Sequence, residues 1–249
     1  MSLLGVNHGI EITTLADITS EGSGLGSSSS FTVGMLHALH AYKGDLPTAD
    51  DLASQACKIE IDTLKRPIGK QDQYIAAYGG LRFITFNGHG IHAERVELSR
   101  EMKQRLNRNL MLFYTGLNRK SATVLESQKN NIGSRIYELG RMKKFAFEAC
   151  QCLRNGAFDD FGEIMHQGWE YKKTLAEKVS NTDIDSYYTA ARNAGAIGGK
   201  ICGAGGGGFL LVYCKPEKQD AVREALKPLR EYAFNLKDDG SKVIFNYQG

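Results

Sequence analysis

The sequence has little net charge, no paired-cysteine motif and no long apolar run. Its formal charge is +3 over 249 residues. The lysines and arginines form no dense block, so nothing in the charge pattern calls for nucleic acid or a membrane surface as a partner. Five cysteines, Cys57, Cys150, Cys152, Cys202 and Cys214, make an odd number without C-x-x-C spacing. That argues against a disulfide scaffold and for reduced thiols in a cytoplasmic protein. Cys150 and Cys152, two apart on a helix, point to different faces, so no thiolate metal site with His166 is assigned. No apolar stretch reaches spanning length, and MSLLGVNHG has neither the basic start nor the apolar core of a signal peptide. No internal repeat or low-complexity linker is evident. With 42% hydrophobic and 24% charged residues, the composition is that of a globular protein with one large core or two modest ones.

Glycine, by contrast, is clustered. The first cluster lies in IEITTLADITSEGSGLGSSSSFTVGMLHALHAY, residues 10–42. Ile12, Leu15 and Ile18 read as a strand; Gly22, Gly24, Leu25 and Gly26 as a loop; and Ser27, Ser28, Ser29 and Ser30 as the opening of a helix. Phe31, Met35, Leu39 and Tyr42, with Leu36 beside them, give that helix an expected buried stripe. Glycine backbone and the free N–H groups of a first helical turn suit a phosphate, and the hydroxyls of Ser27 and Ser28 suit a phosphate or its metal ion. A serine-capped helix after a flexible loop fits the same residues.

Further along, Pro47–Asp51 starts a helix capped by Thr48, on which Ala53, Cys57, Glu60 and Leu64 share a stripe. Glu60 on that stripe either pairs with Lys58 or Lys65 at its edge or points inward to a cation, which could be a metal. Asp72 stands near the start of a short helix closed by Gly79-Gly80, where it would serve as a cap. A hairpin turns at Asn87–Gly90, with His89 and His92 solvated beside it. Residues 99–108 form a charged helix, and Leu110–Tyr114 form a buried strand. Residues 120–178 are mainly helical, with His166 and Trp169 as packing residues, and another helix spans 183–193. The second glycine cluster, Gly195–Gly208, precedes an apolar run, Phe209–Tyr213. Residues 203–208 fit G-x-G-x-x-G, but the strand that follows rules out a dinucleotide fold, which needs a helix there. A helix over 217–232 and a hairpin at Asp238–Gly240 complete an α+β chain with antiparallel pairing.

GSGLGSSSS before a helix, Glu60 on the next helix, Asp72 in PIGKQDQYIAAYGG, and KICGAGGGGF before a strand together resemble the GHMP kinases over essentially the whole chain. The resemblance implies a two-domain α+β fold with mixed or antiparallel sheets packed by helices, divided at about residues 1–99 and 100–249. The family's N-terminal motif has no counterpart before Ile10, so a shortened N-terminal domain is expected, and Thr19-Ser20-Glu21 stand where a proline is usual. The resemblance further implies that Gly22–Ser29 and Gly203, Ala204, Gly205 and Gly206 bind ATP, and that Ser28 and Glu60 hold Mg²⁺. Asp72 would act on the acceptor hydroxyl, and Thr115 and Arg119 would lie near the substrate. The segments at 67–80, 114–119 and 195–209 are most similar to members that phosphorylate D-glycero-D-manno-heptose 7-phosphate at its anomeric hydroxyl. Two alternatives are a non-catalytic nucleotide-binding remnant and a kinase for galactose, fucose or mevalonate. The expected partner is a small sugar phosphate, with a homo-oligomer favoured by exposed strand edges.

Overall fold

The computed structural model describes residues 5–6, 9–18, 22–117 and 121–246. They form an α+β protein with two antiparallel sheets and gather into two compact units. The first unit comprises Met1–Glu21, Gly26–Arg95 and Lys237–Gly249; the second comprises Gly22–Leu25 and Val96–Leu236. The chain therefore changes unit inside the first glycine loop, between Leu25 and Gly26.

The first unit is built on α1 (Ser27–Lys43), α2 (Ala49–Cys57), a π-helical segment (Lys58–Thr63) and α3 (Gln71–Tyr78), followed by the hairpin β1 (Arg82–Asn87) and β2 (Gly90–Arg95). Thr48 starts α2 with a reciprocal cap. Its hydroxyl accepts the Asp51 N–H at 3.1 Å, and its own N–H donates to the Asp51 carboxylate at 2.9 Å. The Thr48 hydroxyl also lies 2.7 Å from that carboxylate as a donor, and this bond, with the backbone one, holds the Asp51 carboxyl below the usual range. The hairpin register pairs Asn87 with Gly90, as the turn residues require. The core is Val33 and Leu36 from α1, Leu52 and Ala56 from α2, and Tyr74 and Ala77 from α3.

Three expectations for this unit change. Ile10–Ile18 forms no strand: no sheet strand pairs with it among the described residues, and Leu15 is 96% exposed. An isolated β-prone run has no ladder to satisfy its backbone. The inward face of α1 is Ser29, Val33, Leu36, Leu39 and His40, whereas Phe31 and Tyr42 are exposed. The helix is turned by its first-turn serine, which is buried against Glu60. The hairpin expected at Asp238–Gly240 is absent. That segment packs on α3 instead, with the Ser241 N–H donating to the Ala76 carbonyl at 2.9 Å and Ser241 Oγ 2.9 Å from His37 Nδ1.

The second unit runs through α4 (Arg100–Asn109), β3 (Leu110–Tyr114), α5 (Ser121–Asn131), α6 (Ile136–Asn155), α7 (Phe158–Lys173) and α8 (Thr182–Asn193). It then continues through β4 (Gly198–Ile201), β5 (Phe209–Tyr213), α9 (Pro216–Ala225) and β6 (Arg230–Glu231). Its antiparallel sheet has the order β4-β5-β3-β6. The apolar runs of β3 and β5 are opposed residue for residue from Leu110↔Tyr213 to Tyr114↔Phe209. Trp169, Ile184, Ile201, Leu210, Val212 and Val222 anchor the core. His166 packs as expected, its Nδ1 2.8 Å from the Tyr188 hydroxyl. The helix expected over 217–232 stops at Ala225 because Pro228 cannot continue it, and Arg230–Glu231 pair with β3 instead. Among the described residues no helix is long and apolar enough to cross a membrane, and all five cysteines are free.

Candidate active site

In the first unit, α1 begins at Gly26, whose left-handed backbone (φ 71°) turns the loop into the helix and supplies no side-chain cap. Ser30 is the first residue whose N–H finds a carbonyl in the ladder, that of Gly26 at 2.9 Å. The N–H groups of Ser27, Ser28 and Ser29 precede that ladder, and the first turn holds no acidic residue. Such a terminus stabilises an anion.

Beside it lies a fully buried carboxylate. Glu60 is 0% exposed and accepts Ser28 Oγ at 2.5 Å on Oε1, and Ser29 Oγ at 2.7 Å and Gln73 Nε2 at 2.6 Å on Oε2. Arg66 Nη1 donates to Oε1 at 2.9 Å and also to Ser28 Oγ. Local backbone sets this up. α2 widens into the π-helical turn that carries Glu60, Lys65 then takes a left-handed conformation (φ 53°), and the Arg66 N–H donates to the Glu60 carbonyl at 3.0 Å. The charged partner is thus Arg66 rather than Lys58 or Lys65, because the reversal at Lys65 turns the chain back over the carboxylate.

Asp72 is the second residue of α3, whose N-cap position is held by Lys70. A Cβ placed on Gly26 would lie 3.5 Å from Asp72 Cγ and 3.8 Å from Oδ2, so this carboxylate stands against the residue that opens α1. Ser28 Oγ and Glu60 are adjoining hard oxygen donors of the kind Mg²⁺ accepts, and the Arg66 guanidinium is a stand-in cation on the same two groups. No cluster of three or more His, Cys, Asp or Glu able to hold a metal exists among the described residues. Mg²⁺ bound through one carboxylate, a hydroxyl and phosphate oxygens needs none.

In the second unit, the loop Gly22–Leu25 packs backbone to backbone against the second glycine cluster. A Cβ on Gly24 would meet the Cys202 carbonyl oxygen at 2.4 Å, and one on Gly203 would meet Gly24 Cα at 2.7 Å. The Phe209 N–H donates to the Ser23 carbonyl at 3.2 Å. The cluster is fastened from several elements. Thr115 donates through Oγ1 at 2.8 Å and through its N–H at 2.9 Å to the Gly208 carbonyl, Gln128 Nε2 donates to the Ala204 carbonyl at 3.0 Å, and Lys172 donates to the Gly203 carbonyl. Gly206 donates to the Val179 carbonyl at 2.5 Å, and Gly205 closes on the same carbonyl, which a Cβ would approach to 2.6 Å.

The first unit therefore brings together Gly26, Ser27, Ser28, Ser29, Glu60 and Asp72. The second brings together Gly22, Gly24, Leu25, Gly203, Ala204, Gly205, Gly206 and Thr115. Arg119 and Thr19-Ser20-Glu21 lie outside the described residues. Sequence reasoning missed Arg66 and Gln73 as partners of Glu60. Gln73 adjoins Asp72 and could have been tested as the next residue on that turn. Arg66 carried no signal, because its position depends on the π-helical turn.

Family models bear on the whole arrangement. The GHMP kinases N terminal domain matches residues 2–80, and the GHMP kinases C terminal domain matches residues 148–230. A D-glycero-alpha-D-manno-heptose 7-phosphate kinase of Campylobacter jejuni is 30% identical over 92% of this chain and 69% of its own length. A bifunctional fucokinase/GDP-fucose pyrophosphorylase of Arabidopsis thaliana is 28% identical over 90% of this chain and 22% of its own. The crystal structure of a D-glycero-D-manno-heptose 1-phosphate kinase from Bacteriodes thetaiotaomicron superposes with a TM-score of 0.70 at 26% identity, covering 88% of this chain and 62% of that one. With both family domains matched in order and the Campylobacter kinase covered over more than two thirds of its length, the chain belongs to the GHMP kinase family.

Proposed function

We propose that the chain is an ATP-dependent, cytoplasmic sugar-phosphate kinase whose acceptor is D-glycero-D-manno-heptose 7-phosphate, phosphorylated at its anomeric hydroxyl. The observation that carries the reading is the uncapped start of α1, with Ser28 and the buried Glu60 hydrogen-bonded beside it and Asp72 against Gly26. The similarity to the Campylobacter heptose 7-phosphate kinase supports the acceptor. The N–H groups of Ser27–Ser29 would receive the terminal phosphates, and Ser28 and Glu60 would hold Mg²⁺, whose chemistry is to neutralise phosphate charge. Asp72 takes the proton of the anomeric hydroxyl as its oxygen bonds to the γ-phosphorus and the β–γ bridging bond breaks to leave ADP. The glycine contacts of the second unit keep the loop ahead of α1 in shape.

The test is a substrate panel with ATP and Mg²⁺, assayed for ADP release. Turnover is expected with the heptose 7-phosphate and to be at least about tenfold poorer with galactose, fucose or mevalonate, because a lost charged-group contact weakens binding by that order. Preference for another acceptor overturns the assignment of substrate. ATP binding without turnover of any acceptor overturns the catalytic reading.

A further inference from the structure

We propose that Arg66 is a resident counter-cation of the metal site: its guanidinium sits where a divalent ion would join Ser28 Oγ to Glu60, and it must withdraw before the metal loads. This rests on the kinase reading for the identity of the metal, but the displacement itself concerns only Arg66 and Glu60.

The two oxygens of Glu60 are treated differently. Oε2 is held by Ser29 and Gln73, both buried, through neutral donors that are part of the packed interior. Oε1 is held by Ser28 at the first turn of α1 and by Arg66. The Glu60 side chain is 0% exposed while that of Arg66 is 44% exposed, so the cation can swing into solvent and leave the carboxylate fixed. A buried carboxylate without a compensating positive charge is costly, and the guanidinium supplies that charge. A metal and the guanidinium cannot both be satisfied at this spot. The same nitrogen points at Ser28 Oγ as well as at Oε1, so it occupies the lone pairs a divalent ion needs and would repel that ion at contact distance. Arg66 therefore lowers metal affinity and delays loading until a phosphate-bearing ligand arrives to share the charge.

The experiment measures Mn²⁺ binding by the loss of free-ion paramagnetic resonance signal, with and without a non-hydrolysable ATP analogue. It compares the wild type, Arg66→Gln, Arg66→Ala and Glu60→Gln. The Arg66 variants are expected to bind Mn²⁺ about tenfold more tightly than wild type. Millimolar Mg²⁺ should raise their unfolding midpoint while leaving that of the wild type unmoved. Glu60→Gln should abolish both effects. Arg66→Gln keeps a hydrogen-bonding side chain and serves if the alanine variant does not fold. Equal or weaker Mn²⁺ binding by folded Arg66→Gln overturns the proposal. Binding of the analogue with saturating Mg²⁺ is scored separately: if it fails in wild type, the nucleotide reading fails, and the comparison of Mn²⁺ alone still decides the role of Arg66.

Discussion

In the first unit the site is made of side chains that hold one another: Ser28 and Ser29 from α1, Glu60 from the π-helical turn, Arg66 from the loop after it, and Gln73 from α3 all meet at one carboxylate. In the second unit the glycine cluster is held by backbone. Gly24 lies on Cys202 and Gly203 with no room for a Cβ, and Thr115, Gln128 and Lys172 fasten carbonyls of the cluster rather than one another. A site built of side chains can lose its chemistry and keep its fold. A site built of backbone loses its shape first.

That contrast can be broken most sharply at Asp72. Asp72→Asn keeps the volume and removes the proton acceptor, so kcat should fall about 100- to 10,000-fold with the unfolding midpoint unchanged. A loss of only a few-fold in steady-state assays would remove Asp72 from the reaction. Gly24→Ala should do the opposite. Its Cβ would sit 2.4 Å from the Cys202 oxygen at a backbone φ of 75°, and both contacts nearest it are backbone. A destabilisation of about 2 to 4 kcal/mol is expected from clash and left-handed strain together. Gly26→Ala, whose nearest neighbour would be the Asp72 side chain at 3.5 Å, should cost about 1 to 2 kcal/mol. Denaturant titration of the two variants checks the order, and equal losses would show that close backbone packing is not what Gly24 provides.

The smallest effect is expected at Lys65, exposed and left-handed at φ 53°. Lys65→Gly should stabilise the protein by roughly 0.5 to 1 kcal/mol by relieving that conformation, less the added freedom of the unfolded chain. A drop in stability in the same titration would mean that the Lys65 side chain itself holds the turn.

How far the sequence revealed this arrangement differs between the same two regions. The helix opened by Ser27, the capped start of α2, the hairpin turn at Asn87–Gly90 and the apolar strands β3 and β5 were legible, because each is set by a local signal. Thr48 meets Asp51 three residues later, and Leu110–Tyr114 is apolar on both faces. The stripe left Glu60 open between an edge ion pair and an inward turn, and its partners were not legible. Arg66 reaches it only because α2 widens to a π-helical turn and Lys65 reverses the chain, and no spacing rule encodes either event. The rotation of α1 that exposes Phe31 was hidden for a similar reason, since a polar residue, Ser29, is the one drawn inward. β4 went unread because Gly198 and Gly199 carry no strand preference. They belong in the sheet because side chains there would collide with Gly162 and Leu211, at 1.8 and 2.5 Å from their carbonyl oxygens. The run Ile10–Ile18 had the composition of a strand and no sheet to join.

The central claim is that the start of α1, with Ser28 and Glu60, receives the terminal phosphates of a nucleotide and their metal ion. Anomalous diffraction from crystals grown with Mn²⁺ and a non-hydrolysable ATP analogue tests it most directly. The account predicts a manganese peak bonded to Ser28 Oγ and a Glu60 oxygen, with the terminal phosphate against the N–H groups of Ser27–Ser29. A manganese peak away from Glu60, or an analogue bound with its phosphates elsewhere, would contradict it.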